Sequence, residues 1–198
     1  MIDPANLGVI LLAAGRSLRF GARNKLEVDL AGQPLGLHGA RAALALRPAH
    51  AVAICNRMEP ELVEALAGLG FEILYNEAPE QGLAASLVLG VRHMAERPVE
   101  AALLCLADMP FIESGHLAAM ARRFDEGTAP VVASSDGATV MPPALFARSL
   151  FPRLERLSGD QGARGLLAGA ALVTAPAATL RDIDRPADLA SQGASGFE

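Results

Sequence analysis

The chain is expected to fold as an α/β protein, a three-layer α/β/α sandwich around a mostly parallel sheet. Two observations carry this. Apolar runs of strand length recur at residues 7–13, 51–55, 72–75, 101–107, 130–133 and 171–175, several of them continuous rather than alternating, as in strands buried on both faces. Helical patterns at residues 35–46, 60–69, 84–96, 114–126 and 143–157 separate them, and this alternation implies βαβ units. Composition agrees. Of 198 residues, 52% are hydrophobic and 20% charged, which excludes a disordered chain. One domain over residues 1–190 is expected, with residues 191–198 as a flexible tail.

Residues 7–13 form the first strand. Pro60, directly after Glu59, suits a first helical turn, and Ser114 is placed as an N-cap. Cys55 and Cys105 fall in strand-like runs and read as buried thiols, fitting a reducing cytoplasm. No run has the length of a membrane span, and the N-terminus lacks a signal-peptide layout. The net charge of −5 argues against broad nucleic-acid binding. His38, His50, His93 and His116 show no ligand spacing. In this fold class ligands gather beyond the carboxyl ends of strands, which directs attention to the residues after Ala13, Tyr75 and Ala107.

After the first strand comes Ala13-Ala14-Gly15-Arg16-Ser17-Leu18-Arg19-Phe20-Gly21-Ala22-Arg23-Asn24-Lys25. Lys25 is the one lysine among sixteen arginines, which marks a position where a compact ammonium serves and a planar guanidinium does not. The loop is neither a Walker A motif nor G-x-G-x-x-G. Gly15, Arg16, Arg19 and Lys25 read as a phosphate-binding group. Asp108 ends the run Leu103-Leu-Cys-Leu-Ala-Asp108-Met-Pro-Phe-Ile112, and either offers a carboxylate to Mg²⁺ or caps the turn around Pro110. Asp182 and Asp184 alternate along an extended segment, so either one is a second metal ligand or a plain surface acid. Asp188 is explained by the dipole of the helix after Pro186. Gly82 and Ser86 lie where a loop enters a helix and hold an anion or a base edge, unless Ser86 is only a small helix residue. Asp160 and Arg164, in Ser158-Gly-Asp160-Gln-Gly-Ala-Arg164, form either a second phosphate site or a capped helix start.

Leu12-Ala-Ala-Gly-Arg-Ser-Leu-Arg-Phe-Gly21 followed by Lys25 resembles the LAAGxSxRxG…K signature of the MobA-like nucleotidyltransferases. Leu106-Ala-Asp-Met-Pro110, Gln81-Gly-Leu-Ala-Ala-Ser-Leu87 and Asp182-Ile-Asp-Arg-Pro-Ala-Asp-Leu189 are similar to further segments of that family, and the matches run in order from about residue 7 to 189. The stretch from Leu157 to Leu167 is similar to the branch containing molybdenum cofactor cytidylyltransferase. The resemblance implies a Rossmann-like nucleotidyltransferase fold and an enzyme that transfers CMP from CTP to the phosphate of molybdopterin with release of pyrophosphate. It implies Ala13, Ala14, Gly15, Arg16, Lys25, Gly82 and Ser86 at the nucleotide, with Arg16, Arg19 and Lys25 catalytic, and Asp108 and Asp184 on Mg²⁺. Ala14 is similar to the CTP-using branch, since GTP-using relatives tend to carry a second glycine there. A molybdoenzyme is implied as receiver of the product. The chain departs from the branch at Val140-Met141, where a glycine and a polar residue are usual, so Met141, Asp160 and Arg164 mark the acceptor side. Another phosphorylated acceptor, GTP as donor, and a nucleotide-binding protein without turnover stay open as alternatives.

Overall fold

The computed structural model describes residues 2–15, 20, 24–78, 80, 82–127, 129–159 and 163–190. Arg16, Arg19, Asp160 and the expected tail 191–198 lie outside the described residues. The strands are β1 Leu7–Ala13, β2 Asp29–Leu30, β3 Gln33–Pro34, β4 His50–Cys55, β5 Glu72–Tyr75, β6 Ala101–Leu106, β7 Val131–Ser135, β8 Val140–Ala147 and β9 Ala171–Thr174. The helices are α1 Gly36–Leu44, α2 Pro60–Gly68, α3 Leu83–Ala95, α4 Ser114–Asp125, α5 Phe151–Leu154, α6 Arg164–Leu167 and α7 Pro186–Ala190.

The main sheet runs β5-β4-β1-β6-β8-β7-β9. Neighbours are parallel except around β8, which is antiparallel to both β6 and β7. Side chains of β1 alternate between two cores. Leu7, Val9, Leu11 and Ala13 face α1, α2 and α4, whereas Ile10 and Leu12 face α3, α5 and α6. Strand β6 does the same with Leu103 and Cys105 on one side and Ala102 and Leu104 on the other. Burial on both faces is the three-layer sandwich in residue terms, and each fully buried Leu or Ile contributes about 1.5–3 kcal/mol. No helix among the described residues is long and apolar enough to cross a membrane.

Two expectations are corrected. Residues 143–157 do not form one helix. Val140–Ala147 is an interior strand, followed by a 3₁₀ turn at Arg148–Leu150 and the short α5. The run Ala144-Leu145-Phe146-Ala147 carries helix-forming residues, but it pairs with β6 on one side and β7 on the other, and tertiary pairing overrides propensity. Pro142 and Pro143 are accommodated where the β7–β8 register shifts between Ala133 and Ser134, past the end of the β6 pairing. Ser114 is not an N-cap. Glu113 holds that position and Ser114 is the first helical residue, with no side-chain cap bond. Pro60 does open α2 after Glu59, and Cys55 and Cys105 are buried free thiols.

Helix α3 lies close on β1 because Gly90 has no side chain. A Cβ there would stand 2.5 Å from Ile10 Cγ2. At Gly8 a Cβ would stand 2.6 Å from Met94 Sδ, but a thioether can swing aside. Gly90→Ala is therefore expected to lower stability by about 1–3 kcal/mol through overpacking, and Gly8→Ala by clearly less. Urea unfolding of both variants checks the order.

Candidate active site

β1 sits at the centre of the sheet, with β4 and β5 reached on one side and β6 on the other. The strand order reverses between β1 and β6, and a crevice opens at the carboxyl ends of such a pair. A cavity of about 340 Å³ lies there, lined by Leu12, Ala14, Gly15, Lys25, Leu26, Gly82, Leu83, Ser86, Leu106 and Asp108.

Lys25 opens a 3₁₀ turn, Lys25–Glu27, whose start is capped by Asn24 Oδ1 accepting from Leu26 N at 2.9 Å. Its Nζ donates to Asp108 Oδ2 at 2.7 Å and Asp184 Oδ1 at 2.8 Å. The lysine is 7% exposed. Burial alone would lower its pKa, but the charges of Asp108 and Asp184 and their hydrogen bonds outweigh it and hold the ammonium above its ordinary value. Asp108 comes from the turn after β6, which is tied to β1 by Ala107 N donating to Leu12 O at 3.0 Å. The backbone oxygen of Asp108 accepts from Ile183 N at 2.8 Å, and this bond holds Asp184 opposite Asp108. Asp188 Oδ2 in turn accepts from Asp184 N and Arg185 N at 3.0 and 2.7 Å. Those bonds hold the Asp188 carboxyl below its ordinary value. Three chain-distant segments thus meet at one ammonium.

Asp108 has capacity left over. Among the described residues its buried Oδ1 has no hydrogen-bond partner, while Oδ2 and Asp184 Oδ1 both meet the Lys25 ammonium. Two carboxylates with a spare oxygen suit a hard divalent cation that shares its shell with phosphate. No group of three or more His, Cys, Asp or Glu with that capacity occurs among the described residues. Asp182 is exposed. Partial desolvation, then the charges of Asp108 and Asp184, raise its carboxyl above the ordinary value.

The remaining expected residues divide. Ala14, Gly15, Gly82 and Ser86 line the cavity. Ala13 is buried toward α1, α2 and α4, away from it. Gly82 takes φ +84° as it enters α3, a conformation that favours glycine. A second cavity of about 170 Å³ shares Leu83 and Leu106 with the first and is lined also by Pro142, Phe146, Ala163 and Arg164. Met141 is half-buried against the opposite core, so Pro142 and not Met141 faces this space. The sequence reading missed the ion pairing of Lys25 and the apolar wall of Leu12, Leu26, Leu83 and Leu106. It also missed Glu59.

Residues 9–176 match the MobA-like NTP transferase domain. The chain belongs to that family. It is a nucleotidyltransferase of the MobA-like kind. The chain is 33% identical to the purine catabolism protein PucB of Bacillus subtilis over 94% of its own length and 95% of that protein's. It is 34% identical to a probable molybdenum cofactor guanylyltransferase of Natronomonas pharaonis over 62% of its length and 59% of the relative's. Its fold is similar to the crystal structure of Rv0371c from Mycobacterium tuberculosis H37Rv, with a TM-score of 0.82 and 21% identity over 94% and 97% of the two chains.

Glu59, the residue before α2, feels the charge of Glu27 in the Lys25–Glu27 turn. It is 5% exposed, and its Oε2 has no partner among the described residues. Burial, then the charge of Glu27, pushes its carboxyl up to about 8. Burial, then Glu59, likewise pushes the Cys55 thiol up to about 12. A carboxyl whose pKa rises on folding stabilises the fold fully below its unfolded value, and that contribution is lost as pH climbs through 8. Glu59→Gln should match the parent protein near pH 4.5 and exceed it at pH 8 by an amount on the order of 3 kcal/mol. Denaturant unfolding across that range measures the gap, and a constant difference would contradict the assignment.

Proposed function

We propose that the chain transfers CMP from CTP to the phosphate of molybdopterin, releasing pyrophosphate. The observation that carries this reading is the buried Lys25 ammonium, held by Asp108 and Asp184 at a cavity that Gly82 and Ser86 also line. Lys25 and Asp108 line that cavity together with the apolar side chains of Leu12, Leu26 and Leu83, which suits Mg²⁺-bound phosphates and a base. Ala14 is buried and lines the cavity, and its likeness to the CTP-using branch favours the pyrimidine. A phosphate oxygen of the acceptor attacks the α-phosphorus in line, and pyrophosphate leaves. The acceptor is already anionic at neutral pH, so no general base is required.

Lys25 stays with the phosphates as charge moves onto the leaving group. Arg16 and Arg19 take the same role on the strength of the loop's likeness to the family signature. Asp108 and Asp184 would hold Mg²⁺, which supplies positive charge to the phosphates when bound. The second cavity, with Pro142 and Arg164, is the acceptor side, and the sequence motif adds Asp160 to it. The product passes to a molybdoenzyme, and the reaction belongs to the cytoplasm. A second reading keeps the chemistry with GTP as donor, favoured by the relative named a guanylyltransferase; PucB, named for purine catabolism, motivates testing other phosphorylated acceptors.

Pyrophosphate release measured for CTP and GTP against molybdopterin and a panel of sugar phosphates tests the reading. CTP with molybdopterin should give the highest kcat/KM, and no release from any pair overturns it. Lys25→Met, which keeps the apolar stem, should lower turnover about a hundredfold or more. Lys25→Arg should not restore it, because the planar guanidinium is not a compact point charge.

A further inference from the structure

Asn76 stands just beyond β5 and is 8% exposed. Its side-chain oxygen is identified by chemistry. Ala78 N, which can only donate, lies 2.9 Å from Oδ1, so the amide cannot be turned the other way. The nitrogen Nδ2 is therefore the atom 2.8 Å from Ser86 Oγ, and it donates to that hydroxyl. Ser86 is an acceptor in this bond and must give its own hydrogen elsewhere. The residue is 5% exposed and lines the 340 Å³ cavity. Among the described residues no acceptor takes that hydrogen. A buried hydroxyl with an uncommitted hydrogen is costly unless a ligand accepts it.

We infer that Asn76 is a positioning residue that makes the Ser86 hydroxyl a donor to a carbonyl oxygen of the bound nucleobase. The inference rests on the nucleotide reading above and goes beyond it by fixing the polarity of one contact. Leu12, Gly82 and Leu83 line the same cavity as Ser86, and an apolar lining suits the flat base better than the ribose. A base carbonyl only accepts, which matches a hydroxyl whose hydrogen is free to be given.

The test inverts the polarity of Asn76. In Asn76→Asp one oxygen still accepts from Ala78 N, but the other now takes the Ser86 hydrogen and withdraws it from the cavity. Calorimetric titration of CTP with Mg²⁺ should show a loss of affinity of about tenfold, the scale of one buried hydrogen bond. KM for CTP should rise in step while kcat stays nearly unchanged. The added negative charge is controlled by repeating the substitution in a Ser86→Ala background, where Asn76→Asp should cost less than about twofold if the effect runs through the hydroxyl. An equal loss in both backgrounds, or none in either, overturns the inference while leaving the nucleotide reading intact. Absence of CTP and GTP binding by the parent protein overturns that reading and the inference with it. Should Asn76→Asp fail to fold, Asn76→Ala gives the same cycle, with a smaller loss that also vanishes in the Ser86→Ala background; a loss that persists there overturns the inference.

Discussion

The ion-paired ammonium of Lys25 is the interaction on which the site's geometry depends. A lysine taken out of water needs compensating charge, and two carboxylates at 2.7 and 2.8 Å supply it. Each is presented by a different structural device. Asp108 rides on the turn that ends β6, and Asp184 is hung from that turn by the Ile183 hydrogen bond. Gly39 lets α1 approach the same turn, since a Cβ there would stand 3.3 Å from the carbonyl oxygen of Met109. The charged cluster is thus anchored on the central strands, where both cores press against the sheet.

The same arrangement gives the cavity its polarity. Charge gathers where the strand order reverses between β1 and β6, while Leu12 and Leu83 form the apolar wall beside it. The site accordingly offers a charged cluster and an apolar lining side by side. Membership of the MobA-like NTP transferase family agrees with that pairing of chemistries.

The parallel part of the fold was legible because strands buried on both faces leave continuous apolar runs. Leu7–Ala13 is the clearest case, with all seven residues buried. β8 was not, because its residues read as a helix and its strand state depends on two neighbours far away in sequence. One local signal was available: Asp136-Gly137 between two apolar stretches is a hairpin turn. Asp136 Oδ1 accepts from Ala138 N and Thr139 N there, and Gly137 takes φ +96°. In the site, Lys25, Asp108 and Ser86 stood out by residue type and by position after a strand. The choice between Asp182 and Asp184 did not, since alternation treats them alike and only the Ile183 bond sets Asp184 against Lys25. Glu59 and Asn76 carried no local mark, because their character comes from burial by distant segments.

Order of synthesis gives the Lys25 bridge a further meaning. Its three members, Lys25, Asp108 and Asp184, are far apart in sequence, so a ribosome exposes them at widely separated times. Until residues 181–188 emerge, Lys25 and Asp108 have no second carboxylate and Asp108 O has no Ile183 N to receive. The charged pole is therefore completed only once residues 181–188 have been added to the growing chain. A nascent or prematurely ended chain can assemble β1, β4, β5 and β6 around their apolar side chains without yet possessing a finished pole.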